Sequence, residues 1–165
     1  MKLIDLLLEE LNQEAAITRK FLERIPEDKY NWQPHPKNMP MKVLATHIAE
    51  LPGWVNTAVT TDGLDFSATP YEPKDVKSTG ELIAFFEENL NSAKEALAGF
   101  DSKGFTKEWI LSQGDQILNR YTKYSVIRMT YSQVVHHRAQ LGVYFRLLDI
   151  AVPASYGPSA DDMGS

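Results

Sequence analysis

Apolar side chains return every three or four residues along four long stretches of the chain, and strict alternation of apolar with polar positions is scarce. The first stretch predicts a helix from about Leu3 to Leu22, with Leu3, Leu7, Leu11, Ile17 and Phe21 as its inward stripe. A second covers about Met41 to Thr60. Pro52 and Gly53 lie inside it and predict a kink, because proline removes the bond to the Ile48 carbonyl. "STGE" (78–81) reads as a capping box, Ser78 at the N-cap and Glu81 at N3, opening a third helix to about Ala98. The fourth runs from about Tyr121 to Leu148.

Three irregular stretches separate these helices. "RIPEDKYNWQPHPKNMP" (24–40) has the prolines and asparagines of a structured connector, and residues 61–77 read as a long crossover. Two short β-prone runs flank Gly114-Asp115 in residues 105–119, which suits a small hairpin. The expected fold is therefore all-α: a four-helix bundle over residues 1–150, with long crossover linkers and a small β-hairpin before the last helix. Residues 151–165, "AVPASYGPSADDMGS", read as an irregular tail.

Composition narrows the function classes. The 165 residues are 43% hydrophobic and 24% charged, enough for one domain with a real core. The formal net charge is −5 with no run of Lys or Arg, which argues against binding nucleic acid by neutralising phosphates. The chain has no cysteine, so disulfides, thiolate metal sites and a cysteine nucleophile are excluded. Acidic residues interrupt the N-terminal apolar run and no stretch approaches a membrane span, so a cytoplasmic protein with no membrane partner is expected.

Two of the four histidines are adjacent, His136 and His137, inside the last helix. At about 100° per residue they cannot share a face. Val126, Thr130, Gln133, Leu141, Tyr144 and Leu148 lie within about 40° of His137, so His137 and Gln133 interrupt a mostly apolar, core-facing stripe. His136 falls at the edge of that face, and Arg128, Val135 and Arg146 fall opposite it, toward solvent or a partner. On the second helix Val43, Leu51, Trp54 and Ala58 share the face of His47. Two histidines thus point into the core from two helices. Imidazole is costly to bury alone, and either a hydrogen-bonding neighbour or a divalent metal held between helices would satisfy both. Glu50 follows His47 by three residues. It could orient a ligand or act as a base, or be a plain exposed carboxylate. Trp32, Trp54 and Tyr144 could line a pocket or pack in the core, and His35, between two prolines, reads as a surface-loop residue.

The segments "IPEDKYNWQPHPKNMPMKVLATHIAELPGW" (25–54) and "HHRAQLGVYFRLLDIAVPASYGPSADD" (136–162) resemble the DinB-like or YfiT-like family of four-helix, metal-dependent proteins. The resemblance covers most of the chain. It implies a three-histidine metal set, one on the second helix and an H-x-x-x-H pair on the fourth. Position by position, these fall on His47, Gln133 and His137, so a glutamine stands where the family has the first histidine of the pair. An amide oxygen is a weaker donor than imidazole toward the zinc or nickel such a site suits. A weakened two-His-plus-Gln site, one completed by His136, and a metal-free relic all remain open.

What the resemblance implies is a metal-dependent enzyme acting on a small molecule, as a thiol-dependent S-transferase or a hydrolase. Its cofactor would be zinc or nickel, weakly held. By their positions in the sequence, Glu50, Trp54, His136 and Tyr144 are the candidates to stand around the metal or the pocket. A low-molecular-weight thiol would be the co-substrate, and a homodimer the expected assembly. The competing reading is a non-catalytic, metal-free bundle that binds a ligand or partner.

Overall fold

The first helix, α1 (Leu3–Leu22), buries Leu7, Leu11, Ala15, Thr18, Phe21 and Leu22. Its stripe is rotated from the expected one: Leu3 is 41% exposed and Ile17 only half-buried. This computed structural model describes residues 2–68 and 72–162. Residue 1, part of the expected crossover (69–71) and the last tail residues (163–165) lie outside them.

The expected second helix is two helices, α2 (Met41–Glu50) and α3 (Gly53–Thr60), separated at Leu51-Pro52. Proline is tolerated at a helix start, where its missing N–H would have no partner anyway, so the kink becomes a restart. α4 (Thr79–Ala98) begins as expected: the Ser78 hydroxyl accepts from Glu81 N–H at 3.1 Å. The returning Glu81 carboxylate bonds Lys77 N–H at 2.8 Å, one residue earlier than a reciprocal capping box requires. α4 and the last helix, α5 (Lys123–Leu147), each pack against α1, α2 and α3. Leu44, Ala45, Ile48, Leu82, Phe86, Leu90, Val126, Ile127, Leu141 and Phe145 are wholly buried between them.

The all-α expectation needs correcting. The described residues carry five α-helices and a three-stranded sheet, β1 (Gly63–Asp65), β2 (Glu108–Gln113) and β3 (Gln116–Thr122). The β2–β3 hairpin is the expected one. Gly114 turns it with φ 59°, a left-handed conformation that glycine adopts without steric cost. β1 was not expected, and it pairs parallel with β2, Gly63 opposite Ile110. A side chain at Gly63 would strike the Ile110 carbonyl, so only glycine allows this approach. Three residues are too few to show alternation, which is why the strand is invisible in the crossover. Because β3 runs to Thr122, α5 starts at Lys123, and the buried Lys123 ammonium closes the end of α3. It donates to the Val59 and Thr61 carbonyls and pairs with Asp62 at 3.0 Å.

The tail is ordered against α5. Arg138, next to His137, is buried beside α1. Its guanidinium pairs with the Glu14 carboxylate at 2.7 Å and donates to Thr18 Oγ1 at 3.0 Å and to the Tyr156 hydroxyl at 2.7 Å. Tyr156 in turn donates to Glu14 at 2.8 Å. Arg146 holds Asp161 through both carboxylate oxygens, at 3.1 and 2.7 Å. Val135, expected to face solvent or a partner, is half-buried and shares a small cavity with Ser155 and Tyr156.

Removing one member of a buried ion pair strands the other, at a typical cost of about 3–5 kcal/mol. Arg138→Met should therefore lower the unfolding free energy in urea by about that much. Glu14→Leu combined with Arg138→Met should cost clearly less than the two single changes added together. Additive losses, or a single-variant loss below about 1 kcal/mol, would contradict this role.

Candidate metal and small-molecule site

The site begins in the connector. Backbone N–H groups at the start of α2 have no partner within the helix. Here Met41 N–H donates to the Trp32 carbonyl at 2.8 Å and Lys42 N–H to the Tyr30 carbonyl at 2.9 Å. Trp32 also meets the ring of Tyr144 edge-on, centroids 5.5 Å apart, and the Tyr144 hydroxyl donates to the Met39 carbonyl at 3.0 Å. Tyr144 thus belongs to the junction between connector and α5 and does not line the pocket. His35 is in the exposed loop, its Nδ1 accepting from Lys37 N–H at 3.1 Å.

With α2 held this way, His47 and His137 meet edge-on, ring centroids 4.7 Å apart at an interplanar angle of 78°. His137 is 9% exposed. Each ring is tied on the same side by the residue three positions on. His47 Nδ1 lies 2.6 Å from Glu50 Oε1, and His137 Nδ1 lies 2.9 Å from Gln140 Oε1. A carboxylate or amide oxygen only accepts, so in both rings Nδ1 is the donor, and in the neutral ring Nε2 keeps its lone pair. Glu50 is therefore no plain exposed carboxylate; its side chain is 13% exposed. The Gln140 amide nitrogen lies 3.2 Å from His136 Nε2, and the exposed His136 ring stands edge-on to His137 at 4.8 Å.

A cavity of about 130 Å³ is lined by His47, Leu51, Trp54, Met129, Thr130 and Gln133. Gln133, expected to face inward, is exposed and stands at this cavity's edge, because α5 lies further round on its axis than the stripe centred on His137 implies. His137 enters the site through its contact with His47 and not as a lining residue. A second cleft of about 390 Å³ also reaches His47 and Trp54 and is completed by Met39, Val43, Glu50 and Phe66. Among the described residues no group of three His, Cys, Asp or Glu side chains is placed to hold a metal. The structure thus joins His47, Glu50, His137 and His136, sets Gln133 and Trp54 beside His47, and leaves Tyr144 apart.

Two contributors escaped the sequence reading. Gln140 repeats after His137 the three-residue offset of Glu50 after His47, a signal that was present. Phe66 follows β1, in a segment without periodicity, and offered none.

Burial holds the His137 imidazole below its ordinary value of 6.5; the Gln140 bond opposes this, and nearby His47 and His136 add to it. The comparisons agree with this mostly helical fold. The DinB family profile matches residues 1–164, and the chain belongs to that family. Its fold is similar to that of a DinB-like protein from Bacillus subtilis (TM-score 0.71, 15% identity, covering 92% of this chain and 99% of that one). A Bacillus cereus DinB-like protein gives 0.68 at 17% identity, covering 91% and 95%. A third, from Exiguobacterium sibiricum, gives 0.63 at 17%, covering 90% and 93%. No curated protein matches the chain. No helix among the described residues is long and apolar enough to cross a membrane.

The depressed His137 value fixes a sign. Below about pH 6.5 an unfolded chain protonates this ring while the fold resists, so acidification favours unfolding until the lowered folded value is passed. Metal-free protein should lose more stability between about pH 7.5 and 5.5 than the His137→Gln variant does, measured by urea midpoints. Parallel pH dependences would contradict the assignment.

Proposed function

We propose that the protein is a metal-dependent enzyme acting on a small molecule, with a divalent ion held by His47 and His137 and completed, weakly, by Gln133. One observation carries this reading: both histidines have Nδ1 turned to an acceptor three residues on, and their rings meet with centroids 4.7 Å apart. Metal-ligating histidines almost always have their other ring nitrogen bonded in this way. Two imidazoles and an amide oxygen suit zinc or nickel.

An ion bound there would supply Lewis acidity to a thiol-transfer or hydrolytic reaction. Glu50 and Gln140 orient the two rings, and Glu50, in the cleft as well as on His47, is placed to exchange a proton with a bound reactant. Trp54 walls both cavities. Gln133, standing exposed where the family pattern has a histidine, favours the second reading: a ligand-binding protein of the same fold that holds no metal.

Elemental analysis of protein purified without a histidine tag separates the two. About one zinc or nickel per chain is expected, abolished in His47→Ala and weakened in Gln133→Ala. Gln140→Leu, which only loosens His137, should weaken zinc roughly 10–100-fold. No uptake by the parent after loading with excess ions would leave the ligand-binding reading.

A further inference from the structure

The 390 Å³ cleft is within the range of about 300–1,000 Å³ usual for small-molecule sites. Four of its six lining side chains are apolar, and they come from three separate parts of the chain. Met39 comes from the connector, Val43 and Trp54 from α2 and α3, and Phe66 from the turn after β1. Phe66 is fixed in place by its own N–H, which donates to the Ser112 carbonyl of β2 at 3.0 Å. Val43 remains 40% exposed, so the apolar wall is open to an occupant. The polar lining is His47 and Glu50, and among the described residues no Lys or Arg lines the cleft. In the metal-free protein a carboxylate or phosphate entering here would find no cation and would meet the Glu50 carboxylate.

We infer that this cleft takes the uncharged, apolar body of the substrate and directs its reactive end onto His47 and Glu50. The assignment rests on the proposed function, in which His47 belongs to the reactive centre. The division of labour follows from the two volumes meeting at His47 and Trp54. The 130 Å³ cavity has room for an ion and a small ligand, whereas the larger cleft has room for an organic group. Specificity would then come from Met39, Val43, Trp54 and Phe66, and without metal the cleft would reject anionic molecules of the same shape.

Phenylbutanol and phenylbutanoate share one apolar body and differ in charge. Both are titrated into metal-free and zinc-treated protein, followed by tryptophan fluorescence and calorimetry, with zinc uptake measured on the same samples. Phenylbutanol should bind metal-free protein at least roughly tenfold more tightly than phenylbutanoate does. Val43→Glu, at an exposed position, and Phe66→Ser, in a turn, should each weaken phenylbutanol roughly tenfold with an unchanged circular dichroism spectrum. Equal or tighter binding of the carboxylate by metal-free protein would overturn the inference, as would unchanged affinity in both variants or no binding of the alcohol to either form. Selective alcohol binding by protein that takes up no zinc would uphold the cleft and overturn the metal reading. Zinc uptake without alcohol binding would do the reverse.

Discussion

A helix cannot satisfy its own first N–H groups, and at α2 the chain meets this need with the carbonyls of Tyr30 and Trp32. The position of everything at the site follows from that pairing. The same connector sets Trp32 against Tyr144 and offers the Met39 carbonyl to the Tyr144 hydroxyl, so α2 is fixed along α5 as well as beside it. Tyr144 stands two turns after His137, on the same face, and His47 stands less than two turns into α2. Their meeting at 4.7 Å is therefore a consequence of how the helix start is satisfied. Pro52 then ends α2 soon after Glu50, and the restart at Gly53 carries Trp54 over both cavities.

Three consecutive residues of α5 serve three directions, as a rotation of about 100° per residue requires. His136 stands at the surface, His137 reaches α2, and Arg138 reaches Glu14 and Thr18 on α1. The buried cations follow one rule, each closing a set of oxygens that would otherwise be stranded. Arg138 gathers a carboxylate, a hydroxyl and the tail's Tyr156, and Lys123 gathers the last carbonyls of α3. The tail is held through Arg138 and Arg146, so the helix that presents His137 also orders the end of the described chain.

The readable parts of the sequence were those governed by one helix and its own period. The inward direction of His137, the Ser78 cap, the break at Pro52 and the turn at Gly114 each depend on local chemistry, and each is found in the structure. What escaped depends on distant partners. Arg138 looks like any surface arginine until Glu14 and Thr18 are brought to it from α1. β1 exists only because Gly63 lets β2 approach, and Phe66 reaches the cleft only because β1 is there. Gln133 was misplaced for a different reason: the stripe was centred on His137, whereas the buried face also takes in Tyr131, Val134 and Arg138, leaving position 133 at its rim. The family pattern pointed to His47 and His137 but did not reach the Glu50 and Gln140 acceptors that the structure sets against them.

The central claim is that two histidines on different helices are held with Nδ1 protonated and Nε2 open. Long-range proton–nitrogen correlation spectra of metal-free, histidine-labelled protein above neutral pH read this directly. The account predicts that His47 and His137 both appear as the Nδ1–H tautomer, while Gln140→Leu releases His137 alone. An Nε2–H tautomer at either position in the parent protein would contradict it.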